Sequence, residues 1–258
     1  MLEIGLENGV RYLEHESLTL KLGGGEAGVE GREIKVFASP YSPAHGLWAF
    51  SYEEDQAREL WDQIPGDTDI LITHTPPKGH CDKTTKDGRV GCEALLRRLG
   101  VVKPRLHVCG HIHEGRGAEL ITWREDGGEK SVRYWDDPGL GLGNRKMSKL
   151  SLLEGRPGKW YSTKVARSKA RATDHRLQRS NGSTCPGHEV DRDHMSGDGS
   201  STGNESSEDE SSYASKTCVV NAAIMQNSWP GPRTLNKPIV VDMEWPSRST
   251  RSAGAGDT

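Results

Sequence analysis

Two stretches decide the fold: Asp69-Ile70-Leu71-Ile72-Thr73-His74-Thr75-Pro76-Pro77 and, further on, Arg105-Leu106-His107-Val108-Cys109-Gly110-His111-Ile112-His113. Each opens with a short apolar run of the kind found in buried strands. Each then breaks, the first at two prolines and the second at Gly110. Between them Cys92, Leu95, Leu96 and Leu99 fall at i, i+3, i+4 and i+7. That spacing predicts a helix over 91–100, with Gly100 as its stop. Upstream, Ala57, Leu60, Trp61 and Ile64 repeat it and predict a helix over 53–64, ended by Pro65-Gly66. Strands are expected at about 10–13, 17–22 and 33–38, each rich in Val, Ile, Leu, Tyr or Thr and bounded by turn residues. The order strand–helix–strand–helix–strand predicts an α/β fold, with helices layered on a sheet.

The rest of the chain divides by composition. Of 258 residues, 33% are hydrophobic and 28% charged, with a net charge of −3. That length suits one domain with extensions. Residues 1–135 alternate apolar runs and turns and form the first part of the domain. Residues 136–215 are rich in Ser, Gly, Lys, Arg and Asp, and are expected to be a low-complexity, mostly disordered insertion. Residues 216–245 turn apolar again at Cys218–Ile224 and Pro238–Asp242, and are expected to return two strands to the same core. Residues 246–258 read as a disordered tail.

The balance of charge gives no global drive toward nucleic acid, and no run approaches the ~18 apolar residues that cross a bilayer. Neither nucleic acid nor membrane is therefore an expected partner. The opening residues lack the basic region of a secretory signal. Five scattered cysteines argue against a disulfide framework, so a cytoplasmic location is expected, with the nucleus as an alternative.

Ten histidines are present, and three stand out by placement. His74 follows one buried strand; His111 and His113 follow the next. Ligands of open α/β sheets gather beyond the carboxyl ends of the strands. Neutral imidazole is a good ligand for Zn, Mn, Fe or Ni. Each motif alone has a plainer reading: a loop histidine is commonly solvated, and residues at i and i+2 simply share a strand face. Together, each after its own strand, they are far more specific. Arg116 is placed to grip a substrate phosphate, against the plainer reading of a surface arginine. His80 and His107 read as filler, and Asp82 as a loop cap. Cys81, Cys92 and Cys109 fit no standard zinc spacing. A basic run at 164–179 and a Ser/Glu/Asp tract at 204–212 make the insertion a candidate surface for a protein partner.

At this point the residues resemble a family. ILITHTPPKGHCD and RVGCEALLRRLGVVKPRLHVCGHIHEGRG are similar to the C-terminal half of the calcineurin-like metallophosphoesterase superfamily. The branch resembled most is that of the metallophosphoesterase domain-containing proteins. FASPYSPAHGLWAFSY upstream and VVNAAI downstream extend the likeness, which covers about 33–123 and 216–242. The resemblance implies a four-layer α/β/β/α sandwich with a binuclear centre of divalent metal (Mn, Fe or Zn) at the strand ends. It implies that His74 matches the family's lone histidine ligand, and His111 and His113 the pair of its GHxH motif. It implies hydrolysis of a phosphomonoester or phosphodiester small molecule by metal-bound hydroxide.

The chain also departs from the family. The DxH, GD and GNH motifs, which supply the remaining ligands and the bridging carboxylate, do not occur before His74. His15 and His45 do not fit them. The expectation is an N-terminally shortened form that carries at most a partial metal site. Two dications held ~3.5–4 Å apart require anionic ligands, which three neutral histidines cannot provide. A catalytically incomplete chain, acting as an interaction module through its charged insertion, is the competing expectation.

Overall fold

The computed structural model describes residues 9–23, 31–46, 48–141, 144–153, 160–162, 216–226 and 234–244, and all structural statements concern these. The fold is mixed α/β and rich in strands. β1 (Glu16–Leu22) pairs antiparallel with β2 (Arg32–Ser39). Two short strands, β3 (Ser42–Pro43) and β4 (Ser51–Tyr52), make a separate parallel pair. A single 3-10 turn leads into α1 (Ala57–Asp62), followed by β5 (Ile70–Thr73), α2 (Glu93–Val102) and β6 (Leu106–Cys109). β7 (Gly117–Trp123) and β8 (Glu129–Trp135) form a hairpin. β9 (Ser148–Ser151), β10 (Trp160–Ser162), β11 (Lys216–Asn221) and β12 (Ile239–Asp242) complete the set.

One sheet holds eight strands in the order β1-β2-β5-β6-β11-β7-β8-β10. β2, β5, β6 and β11 run parallel, and their register makes them end nearly in line. Ser39 stands opposite Thr73, and Cys109 opposite Asn221. The alternation of each strand divides its side chains between two cores. On one face Phe37, Leu71, Cys109, Ile121 and Val219 pack under α1 and α2, against Trp61, Ile64, Leu95 and Leu99. On the other, Leu106, Leu120, Cys218 and Val220 pack with Leu150, Ile239 and Val241 of the two-stranded β9–β12 sheet. Three layers are thus visible: helices, large sheet, small sheet. A fourth, helical layer beyond β9 and β12 does not occur among the described residues, so the four-layer expectation is met in part.

The differences from expectation have physical causes. Residues 10–13 form no strand, and Val10 and Tyr12 lie exposed. Gly100 does not stop α2. The helix runs on to Val102 and ends at Lys103, whose left-handed backbone returns its N–H to the Leu99 carbonyl. Gly100 is needed for clearance instead: a Cβ there would stand 2.0 Å from the Gly127 carbonyl oxygen in the β7–β8 turn. β9 and β10 lie within 136–215, where composition argued against regular structure. Their Leu150 and Trp160, with Leu152 just past β9, supply the apolar contacts that the average over that stretch concealed. Residues 163–215, with the basic run and the acidic serine tract, lie outside the described residues, as does the tail beyond 244. Among the described residues no helix is long and apolar enough to cross a membrane.

Leu150 is fully buried and joins β9 to the large sheet. Leu150→Ala is expected to cost ~2–5 kcal/mol through lost burial and an unfilled cavity. A urea titration followed by tryptophan fluorescence measures it; an unchanged midpoint would show that this layer contributes nothing.

Candidate functional site

The parallel strands hand their chain over to loops at one edge. The His74 N–H donates to the Ser39 carbonyl at 3.1 Å, and its own carbonyl accepts from the Gly110 N–H at 3.2 Å. His74 is therefore tied between the ends of β2 and β6. Pro76 and Pro77 stiffen the segment beyond it, and Cys92 N–H bonds the Pro76 carbonyl at 2.9 Å. After β6 the chain passes through His111, which holds a left-handed φ of 65°. A single 3-10 turn, His113–Gly115, follows. Non-glycine residues rarely accept that conformation, which costs roughly 1–2 kcal/mol and persists only where surroundings enforce it.

This path brings His74 and His111 together. The His74 and His111 ring centroids lie 4.6 Å apart. Burial first, then neighbouring His113, lowers the His74 pKa. Burial, with His74, His113 and His45 as neighbours, lowers His111 to about 4. Both are neutral at pH 7, with a ring lone pair to offer. His45 and Trp48, from the loop between β3 and β4, join the same group. Trp48 stands edge-on to both His45 (5.6 Å) and His111 (6.1 Å) and is itself 61% exposed. Sequence reasoning set His45 aside because no motif surrounds it; only the tertiary path of that loop places it here. As they stand, no three His, Cys, Asp or Glu side chains among the described residues converge to enclose a metal ion.

Arg116 lies inside the frame. Its guanidinium is buried and already engaged: with Asp137 at 2.8 Å, Ser148 Oγ at 3.2 Å and the Lys237 carbonyl at 2.8 Å. It joins the β7 side of the large sheet to β9 and the approach to β12, rather than reaching for a phosphate. Beside it the Lys237 ammonium donates to the carbonyls of Gly139, Asn144 and Lys146.

His107 is fully buried and bonds the Thr73 hydroxyl at 2.8 Å; burial lowers it to about 3, so it is a neutral core residue. The buried thiols of Cys81, Cys92, Cys109 and Cys218 are free. Burial pushes the first and the last two up, Cys218 to about 12. Asp82 is fully buried and accepts from the Gly79 and Gly91 N–H groups and from Arg89, each at 2.9 Å. It ties the loop between β5 and α2, as a cap was expected to do.

His80 is more than filler. It donates from both ring nitrogens, to Glu119 at 2.7 Å and Glu129 at 3.0 Å. Burial alone would lower its pKa, but the two carboxylates outweigh it and raise the value to about 9. Glu119 also accepts the Cys81 N–H at 3.1 Å. A usable sequence signal existed: Glu119 interrupts the apolar Ala118-Glu119-Leu120-Ile121 run, and a carboxylate in a strand interior requires a partner.

No protein-family model matches the chain. Metallophosphoesterase domain-containing protein 1 of Homo sapiens is 47% identical over 89 residues, 33% of this chain and 27% of that protein. A UPF0046 protein of Caenorhabditis elegans is 42% identical over 86 residues, 33% of this chain and 22% of that protein. Probable rhamnogalacturonate lyase C of Emericella nidulans is 45% identical over 114 residues, 43% of this chain but 10% of that protein. The chain thus spans between a tenth and about a quarter of the length of these relatives. The matches bear out the resemblance to the metallophosphoesterase domain-containing branch.

Two measurements follow from the geometry. Arg116→Ala should cost ~3–5 kcal/mol in chemical denaturation, because Asp137 is left buried without its cation; a loss under ~1 kcal/mol would remove its bracing role. His80 binds its proton more tightly folded than unfolded. Its stabilisation is complete below about pH 6.5 and fades as pH rises through about 9. The denaturation midpoint should fall between pH 7 and pH 9.5, and His80→Gln should flatten that fall.

Proposed function

We propose that this chain carries the histidine side of a metallophosphoesterase centre and supports hydrolysis of a small phosphoester, a monoester or a diester. The observation that carries the reading is the meeting of His74 and His111, with His113 beside them, at the carboxyl edge of the parallel strands. The relatives named as metallophosphoesterases support the reaction class.

The donor chemistry fits one divalent ion and does not fit a pair. Neutral imidazoles coordinate Zn, Mn or Fe well, and a site of three histidines with an open position is an established catalytic arrangement. Two dications in contact would need an anion between them. A divalent ion, when bound, supplies Lewis-acid polarisation of the phosphoryl oxygen and acidifies water. The chain's own part is to present unprotonated ring nitrogens. The backbone ties of His74 hold one of them against the sheet edge. Trp48 stands edge-on to His111 on one side. Arg116, occupied elsewhere, takes no part in gripping phosphate. An incomplete site that does not turn over is the second reading, favoured by the lack of a converged donor set among the described residues.

Turnover of bis-p-nitrophenyl phosphate with added Mn²⁺ separates these readings. Under the enzymatic reading the wild-type chain shows measurable turnover, and His111→Ala and His113→Ala fall to the uncatalysed background. Equal rates in all three end that reading. Metal analysis after dialysis is expected to give about one ion per chain; none would leave only the second reading.

A further inference from the structure

We infer that Asn221 is a positioning residue for the histidine loop: one buried carboxamide ties Cys81 to Ile112 and so holds His111 against His74. Asn221 ends β11 and is fully buried. Its Nδ2 donates both hydrogens, to the Cys81 carbonyl at 2.9 Å and to the Ile112 carbonyl at 2.8 Å. Its Oδ1 accepts the Ala223 N–H at 3.0 Å. Only a primary amide provides two diverging donors and an acceptor in so short a side chain.

One carbonyl belongs to a residue with left-handed backbone, Cys81, and the other to the residue that follows one, His111. Cys81 has φ 51°, and Ile112 follows His111 at φ 65°. Neither is glycine, so each left-handed turn needs support; at His111 the Ile112 N–H donates locally to the Gly110 carbonyl at 2.7 Å, and Asn221 adds a tie from outside. The Cys81 residue is gripped at both ends, its N–H by Glu119 and its carbonyl by Asn221. Ile112 lies between His111 and His113, and its carbonyl also accepts the Gly115 N–H at 3.1 Å. The approach is tight: a Cβ on Gly115 would stand 2.1 Å from the Cys81 oxygen and 3.1 Å from Asn221 Nδ2. Loss of the amide removes the tie between the Cys81 and Ile112 carbonyls and leaves the His111 turn to its local bonds alone, Ile112 N–H to the Gly110 carbonyl at 2.7 Å and Gly115 N–H to the Ile112 carbonyl at 3.1 Å.

The ring arrangement can be read without any metal, so this inference stands apart from the phosphoesterase reading in one arm and rests on it in the other. In the metal-free protein, a nuclear Overhauser contact between the His74 and His111 rings is expected in wild type. It should be lost in Asn221→Ala and in Asn221→Asp, which keeps shape and acceptor but lacks the donors. Co²⁺ titration followed by visible absorbance should show at least tenfold weaker binding in both. Leu150→Ala, destabilised in the opposite core, should keep the ring contact and the Co²⁺ affinity. An Asn221 variant that retains ring contact and affinity overturns the inference. Should neither variant fold, wild-type Asn221 amide protons decide: slow exchange and contacts to Cys81 and Ile112 support it, fast exchange overturns it. Absence of Co²⁺ binding in wild type defeats the phosphoesterase reading alone.

Discussion

The common end-point of β2, β5, β6 and β11 governs the molecule. Parallel pairing with no stagger places Ser39, Thr73, Cys109 and Asn221 along one edge, and the chain leaving each strand has little choice of direction. Because helices cover one face and β9–β12 the other, the edge is where loops can meet without burying unpaired backbone. His74 and His111 come together there because their strands are neighbours in the sheet, although the residues are far apart in the chain. β11 has the same role from the far end of the sequence. It enters between β6 and β7 and brings Asn221 to the edge, where it touches both loops.

Charge is arranged by a complementary rule. The described buried acids near this edge each face a cation or a row of donors: Asp82 faces Arg89, Glu119 faces His80, and Asp137 faces Arg116. A carboxylate in a dry interior requires such company. These acids are therefore committed to the frame, and the imidazole group at the edge draws no negative charge from them. The same arrangement accounts for His80 and His111 titrating in opposite directions. His80 lies between two carboxylates, whereas the His111 value is lowered by burial and by neighbouring histidines.

Much of this was legible in the sequence. β5, β6 and β11 announce themselves as apolar runs, and both helices show their 3.6-residue stripe. His74 and His111 each follow a strand of this kind, and their rings meet at the edge. Other features depended on contacts that no local pattern encodes. Arg116 looked free because its partners Asp137, Ser148 and Lys237 are distant in the chain. Gly100 resembled a helix stop because its packing against Gly127 cannot be seen from the helix alone. β7 and β8 alternate weakly, and Glu119 masks the apolar side of one of them. β9 and β10 are short strands inside a polar stretch, and averaging erased them.

The contact between Gly100 and Gly127 has a consequence for how the protein comes apart. α2 touches the β7–β8 turn backbone to backbone there, and the Lys103 ammonium fastens the same turn at the Arg124 carbonyl, 2.9 Å away. With no side chain between them to act as a cushion, helix and hairpin cannot slide independently, and they should open together as a single cooperative unit. Glu119 and Glu129 ride on that hairpin. Loosening of α2 should therefore be felt first at this hairpin, which carries the two carboxylates that clasp His80.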